Sequence, residues 1–464
     1  MDIRRFAFAT LIPAVLAPAT GACVLKAPPD TATIKAEALP AVAVPDVWKA
    51  GQSGSGAVTD NWVATFNDEQ LSAAVTEALA HNADLRIAAA RVEQAVLYAR
   101  LAGARLYPSV DVLARGGGKM SGDNSGLQGG VLTVSWELDI WGRVRYGRAA
   151  AAADALAAQA DFEFARQSLA AQVARSWFVA IEAGLQADVA RETIRESEEL
   201  IRLAETRAKV GVGNDEDVFV ARANAGTYRD SLRQIELARV QAMRALEVLL
   251  GQYPAAAASV APRLPSPPDA VPGGLPSALL ERRPDVVAAE RRVAAAFNRI
   301  HEAKAARLPS ISLTTGVSAI SSDLFVLQNR DNPIWNAGAN LLAPVFRGGA
   351  LKTQVEIRTA EQKQAIAAYA AVGLRAFDEV EGALSAEIAA REREQILTQT
   401  LADERRALDV VQTQFKVGST DLRFVTQRQL ALNATQSALL RVQTEQRAQR
   451  VNLHLALGGS FGTR

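Results

Sequence analysis

The feature that most constrains this chain is that it is written twice. Residues 84–112 read DLRIAAARVEQAVLYARLAGARLYPSVDV, and residues 285–313 read DVVAAERRVAAAFNRIHEAKAARLPSISL. Asp84 falls on Asp285, Arg91 on Arg292 and Pro108 on Pro309, all at an offset of 201 residues. Further on, DIWGRV matches PVFRGG with Trp141 against Phe346, Gly211 falls on Gly418, and Leu250-Gly251 falls on Leu457-Gly458. Self-similarity of this kind predicts two copies of one structural unit. The join between them, 254–276, is rich in proline and reads as an extended linker, because proline removes a backbone donor and cannot continue a helix.

Each copy has the same order. A helical stretch (Leu71 to Arg105, or Ala278 to Arg307) is ended by Pro108 or Pro309. A strand, a polar or Gly/Ser-rich loop and a second strand follow. A very long helical stretch then runs from Arg143 or Ala350 to a turn at Gly211 or Gly418, and a last helix ends at Gly251 or Gly458. Arg143 to Gly211 and Ala350 to Gly418 are each 69 residues. At 1.5 Å per residue such a helix is about 100 Å long, which suits a coiled coil or a tube rather than a compact domain. Its core candidates are largely alanine in narrow apolar stripes, as close helix contact in a tube wall requires. A soluble helical bundle is the competing reading, and the strands argue against it.

Four segments alternate with period two. Val110, Val112 and Ala114 oppose Ser109, Asp111 and Leu113; Leu132, Val134, Trp136 and Leu138 oppose Thr133, Ser135 and Glu137. Ile311 and Leu313 oppose Ser310, Ser312 and Thr314; Trp335, Ala337, Ala339 and Leu341 oppose Asn336, Gly338 and Asn340. This fits a lipid-facing wall around a wet lumen, with Trp136 and Trp335 near the membrane interfaces, and it equally fits a half-buried sheet in a soluble protein. Four strands cannot close a barrel, and open edges cannot stand in lipid, so a barrel needs several chains. The segments 116–130 and 318–332 are expected as the loops between strands.

The first residues look like a targeting segment: Arg4 and Arg5, then a mainly apolar run from Phe6 to Ala19 that is too short to span a bilayer. The only cysteine, Cys23, follows Thr20-Gly21-Ala22, small residues that resemble a lipoprotein processing site with Thr20 where leucine is usual. Cleavage there would leave Cys23 open to acylation; a plain secretory signal is the alternative. The expected organisation is signal peptide 1–22, lipidated extended segment 23–59, first repeat 60–253, linker 254–276, second repeat 277–459 and tail 460–464. Nothing after residue 30 forms an uncharged run of 18 apolar residues, so a membrane crossing would fall to strands.

Composition narrows function by exclusion. With 51 basic and 50 acidic residues, the net charge of +1 offers no argument for nucleic acid. His81, His301 and His454 are too scattered for metal-ligand spacing and read as solvated or packing residues. No Ser-His-Asp arrangement, P-loop or dinucleotide glycine pattern appears, so neither an enzyme nor a cofactor is expected.

The string LPSALLERRPDVVAAERRVAAAFNRIHEAKAARLPSISL (275–313), with WVATFNDEQLSAAVTEALAHNADLRIAAARV, WELDIWGRVR, APVFRGG and the two KVG turns, resembles the outer membrane factor family of TolC-like efflux ducts, in its lipoprotein branch related to nodulation protein T. The resemblance covers about residues 60 to 459. It implies a mainly α chain with a transmembrane β-barrel: a long helical tunnel plus four strands per chain, closed as a twelve-stranded barrel in a homotrimer. It also implies an outer-membrane, lipid-anchored channel whose tunnel extends into the periplasm. Such a duct passively conducts small toxic compounds or drugs from a proton-driven inner-membrane pump and a periplasmic adaptor. The alternatives are export of a specific peptide, polysaccharide or protein, or a non-pore periplasmic helical protein.

The turns are the region where function is most arguable. GVGNDEDVFVARA places Asp215, Glu216 and Asp217 beside the first turn, and in an oligomer these acids would ring an axis and favour cations. GSTDLRFVTQRQ carries Asp421 and Arg423 at the second turn, with Gln427 where the family commonly has aspartate. Arg423 is a candidate latch to an acid of a neighbouring turn, and Phe219 and Phe424 are candidate seal residues. Val210-Gly211 and Val417-Gly418 mark the motif an adaptor would meet. The plain alternative is that all of these are solvated turn residues.

Overall fold

The structure, a computed structural model, describes residues 25–50, 60–115, 128–268, 276–321 and 334–459. Cys23, the segment 1–22 and the tail 460–464 lie outside the described residues, as do 51–59, 269–275 and most of both strand loops. In chain order the helices are α1 (Thr31–Ala38), α2 (Glu69–His81), α3 (Ala83–Ala104), α4 (Arg143–Lys209), α5 (Asp215–Leu250), α6 (Pro276–Arg282), α7 (Pro284–Ala305), α8 (Ala350–Lys416) and α9 (Leu422–Ala456), with a 3₁₀ turn at Trp62–Phe66. The strands are β1 (Ser109–Arg115), β2 (Gln128–Leu138), β3 (Ser310–Ser321) and β4 (Ile334–Leu342). The two longest helices, α4 and α8, have 67 residues each. No described helix is long and apolar enough to cross a membrane.

The chain divides into two units: 1–38, 93–157 and 290–368 form one, and the remainder forms the other. The first unit holds the sheet, antiparallel in the order β1-β2-β3-β4. β2 of one repeat pairs with β3 of the other, and among the described residues β1 and β4 are left as open edges. Cross-strand partners share a face. Val112 pairs with Leu132, Leu132 with Val317, and Val317 with Trp335, while Trp136 pairs with Leu313 and Leu313 with Ala339. Although Leu113, Val131 and Leu342 fall on the opposite face, the register therefore collects most of the apolar members of the four strands on one face. Thr315 is a polar residue on that face, and its hydroxyl donates to the Asn336 carbonyl at 2.9 Å. Ser109, Ser135, Thr133, Thr314 and Asn340 lie on the other face, where the Ser109 and Ser135 hydroxyls bond at 2.9 Å. β2 and β3 reach further into the loops than the alternation indicates, taking in 128–130 and 318–321. Ladder pairing extended them beyond the residues whose side chains alternate.

The second unit is built on small and aromatic side chains. Trp62, Phe66, Leu71 and Val75 pack with Trp177, Phe178 and Ile181 of α4 and Met243 and Leu246 of α5, with Ala170, Ala174 and Ala180 fully buried between them. Asp68 caps α2, accepting from Leu71 N at 3.0 Å, and its other oxygen takes the Trp177 indole N–H at 3.0 Å. The buried Glu247 carboxylate accepts the backbone N–H groups of Ala256, Ala257 and Ala258 at 2.5–2.8 Å, fixing the start of the linker.

Two expectations need correction. The first helical stretch of each repeat is not continuous: it breaks at Asn82 and at Arg283. These are equivalent positions, and their side chains do equivalent work. Asn82 Nδ2 donates to Leu249 O at 3.0 Å, and Arg283 Nη1 donates to Ala456 O at 3.2 Å, each reaching the end of its repeat's last helix. Arg283 is also held by Asp285 and Glu379 at 2.7–3.0 Å. The segment 23–59 is not simply extended either. It contains α1, and it buries Ile34, Leu39 and Trp48, the last against Phe377 with centroids 6.4 Å apart. Glu381 pins it by accepting from Lys49 N and Ala50 N at 2.9 and 2.7 Å.

Candidate functional site

The turns after α4 and α8 are closed in the same way. Gly211 and Gly418 adopt left-handed φ values of 78° and 82°, and returning N–H groups satisfy carbonyls of the last helical turn. Val212 N and Gly213 N reach Arg207 O at 3.1 and 3.0 Å, and Ser419 N reaches Gln414 O at 2.9 Å. α5 then starts behind an Asn214 cap, whose Oδ1 accepts from Asp217 N at 2.8 Å. Asp215, Glu216 and Asp217 fill its first turn, where the positive end of the helix dipole favours carboxylates. α9 starts behind Asp421, whose side chain makes no capping bond.

The structure brings Asp217 and Asp421 near each other. Burial pushes the Asp217 carboxyl above its usual range, the Asp421 charge adds to that, and Arg207 opposes it. Asp215, Glu216, Arg423 and Gln427 are exposed. Val210, Val417, Phe219 and Phe424 are all more than half exposed. Beneath this surface a core of Phe415, Leu422, Val425, Leu408, Leu401 and Ala221 joins α5, α8 and α9, with Leu200 and Leu203 of α4 packed on it.

Sequence reasoning missed Arg207. Its Nη1 donates to Phe415 O at 2.5 Å, its Nη2 donates to Val212 O at 3.1 Å, and the guanidinium lies over the Phe415 ring at 4.7 Å. The signal was present only as an arginine one turn before a helix-ending glycine, where a cation suits the dipole.

In the sheet, Trp136 and Trp335 share the apolar face but not the same height. Trp136 stands opposite Leu313 and Trp335 is in register with Val317, four residues along β3, which is about 13 Å at strand rise. Trp136 Nε1 donates to Leu106 O at 3.0 Å, near the helical end of the sheet, and Trp335 is 77% exposed.

A duplicated strand pair with one apolar face, followed by long helices ending in matched turns, is the pattern of a known family. The model of that family, outer membrane efflux protein, matches residues 74–252 and 275–459. The chain belongs to this family. Among relatives of the efflux protein, the cation efflux system protein CusC of Escherichia coli O6:H1 is 32% identical over 438 residues, covering 91% of this chain and 94% of CusC. The pyoverdine export outer membrane protein OpmQ of Pseudomonas aeruginosa is 30% identical over 449 residues, covering 90% and 92%. A crystal structure of CusC, concerned with folding and transmembrane channel formation, superposes with a TM-score of 0.80 at 28% identity, covering 91% of this chain and 98% of that one. The efflux protein is thus a mainly helical outer-membrane channel protein.

Proposed function

We propose that this chain is one subunit of a homotrimeric outer-membrane duct in a tripartite efflux system. It passively conducts small toxic compounds or drugs delivered by a periplasmic adaptor and a proton-driven inner-membrane pump. The observation that carries the reading is the strand register. It gives one mainly apolar face and, among the described residues, two unpaired edges, an arrangement viable in lipid only when further copies close it into a barrel. Three copies supply twelve strands. The exposed Val210-Gly211 and Val417-Gly418 turns fit the adaptor-facing end, and Asp217, Asp421 and Arg423 fit a constriction there. Asp215 and Glu216 add negative charge at the same place, whereas Gln427 adds none. Trp136, beside the helical end of the sheet, fits one membrane interface; Trp335, about 13 Å further along the strands, falls short of the other, since the apolar band of such a barrel is about 25 Å tall. An acylated Cys23 would anchor the chain to the outer membrane.

The test is single-channel conductance in a planar bilayer, with oligomer mass measured in the same detergent. A conducting trimer is expected. A soluble oligomer that never inserts would sink the reading and favour a non-pore periplasmic role. Fatty-acid labelling that survives Cys23→Ser would remove the anchor. A second reading, export of one specific product, is favoured by the similarity to a protein described as a pyoverdine exporter. Loss of a single secreted product, without drug sensitivity, in a deletion strain would support it.

A further inference from the structure

A cation usually caps one helix end; Arg207 serves two. Its Nη2 returns to the Val212 carbonyl of its own turn at 3.1 Å, while Nη1 crosses to the Phe415 carbonyl in the last turn of α8 at 2.5 Å. Phe415 lies in the last turn of α8, where the dipole is negative, and its carbonyl also accepts from Gly418 N at 3.1 Å; Val212 lies in the turn beyond the end of α4. The guanidinium plane lies 4.7 Å over the Phe415 ring, and Phe415 is itself 1% exposed within the core shared by α5, α8 and α9. The fork lies beside Gly418, where a Cβ would stand 3.7 Å from both Nη atoms, an ordinary packing distance. Such a planar, two-pronged, stacked contact is specific to arginine.

We propose that Arg207 is the positioning residue of the gate, an intrachain clasp that makes the two turns of one chain move as a single leaflet. This rests on the reading of the turns as the inner end of a duct. Without the clasp, the α8–α9 turn keeps only polar ties further along the helices, such as Asn224 to Thr426 at 3.4 Å and Gln429 to Glu196 at 2.6 Å, so the turn itself shifts more freely and the constriction around Asp217 and Asp421 loosens. The clasp recognises backbone carbonyls rather than a side-chain partner, so it operates whatever residues the neighbouring chains present.

The experiment compares full-length wild type, Arg207→Ala and Arg207→Lys in planar bilayers, with thermal stability of each oligomer measured alongside. Arg207→Ala is expected to raise resting open probability on the order of tenfold, the factor that one lost charged hydrogen bond is worth in a two-state equilibrium. Arg207→Lys should fall between the two, since its point charge reaches one carbonyl but neither bridges nor stacks. Equal conductance of Arg207→Ala and wild type overturns the clasp while leaving the duct intact. So does a rise that lysine does not temper and that tracks loss of the oligomer. A wild-type protein that forms no channel overturns the duct reading, and the clasp with it.

Discussion

His454 lies flat against Trp62, with ring centroids 5.7 Å apart and planes 16° apart. The imidazole is 1% exposed, and neither ring nitrogen has a hydrogen-bond partner among the described residues. Burial, reinforced by the Arg450 cation, lowers its pKa to about 3. The folded protein therefore holds a neutral imidazole where the unfolded chain would hold a charged one below about pH 6.5.

Stability should consequently depend on acidity through this residue. Below about pH 6.5 the unfolded chain binds a proton that the folded chain refuses, so the contribution of His454 is full above 6.5. It is lost as pH falls toward 3, at about 1.4 kcal/mol per pH unit. His454→Phe keeps the stack and removes the titration. Thermal melts at pH 7 and pH 4.5 should show a smaller drop for the variant; equal drops would mean that His454 is not the group responsible.

At the turns, replacing Asp217, Asp421 and Arg423 together should raise ion conductance and susceptibility to large antibiotics if they close the constriction. Unchanged conductance in the triple variant would return them to the status of solvated turn residues. Asp217→Asn alone should lower the preference for cations, read as a reversal potential in a salt gradient. Because burial and Asp421 raise the Asp217 pKa, wild type should begin to lose the same preference on acidification earlier than an ordinary aspartate would allow.

The two sheet faces should respond oppositely to charge. Leu132 stands between Val112 and Val317, whereas Thr133 stands between Asp111 and Gly316. Leu132→Arg should cost about 2–4 kcal/mol if it meets lipid near the bilayer centre, and should deplete inserted oligomer. Thr133→Arg should insert normally and alter conductance instead. Equal insertion of both variants would contradict a lipid-facing wall.

Gly251 ends α5 at φ 76°, and a Cβ there would sit 2.7 Å from the His81 carbonyl oxygen. Gly251→Ala should cost about 2–3 kcal/mol, combining left-handed strain with the backbone clash. Gly226, inside α5 with nothing within 4 Å of its would-be Cβ, should gain roughly 0.5–1 kcal/mol on conversion to alanine. Denaturation midpoints of the two variants should move in opposite directions.

Much of the fold was legible because helix and strand periods are local. The uninterrupted pattern from Arg143 and from Ala350 corresponds to the two 67-residue helices, and the glycines at 211 and 418 marked their ends. The breaks at Asn82 and Arg283 carried local signals that the helical composition on either side masked: Pro284 disfavours a helical Arg283, and Asn82 is a capping residue whose Oδ1 accepts from Leu85 N at 3.1 Å. What was not legible is the carbonyl each side chain reaches, 167 or 173 residues away. Asp217 and Asp421 were readable as turn residues, since acids beside a glycine turn are a short-range signal. Arg207 was marked only by its place one turn before the helix-ending Gly211, a cue it shares with Lys209, so its two carbonyl partners were not readable.

The sequence by itself determined that this protein is two copies of a helix–strand–strand–long helix–helix unit, since repetition and periodicity are properties of neighbouring residues. Only the tertiary structure decided which faces coincide. A strand's alternation is indifferent to register, and a shift of one residue would send Leu132 and Val317 to opposite sides. Likewise a guanidinium has no preferred carbonyl until α4 and α8 are packed side by side. The apolar wall and the paired turns are relations between segments far apart in the chain, set by packing and ladder hydrogen bonds rather than by local preference.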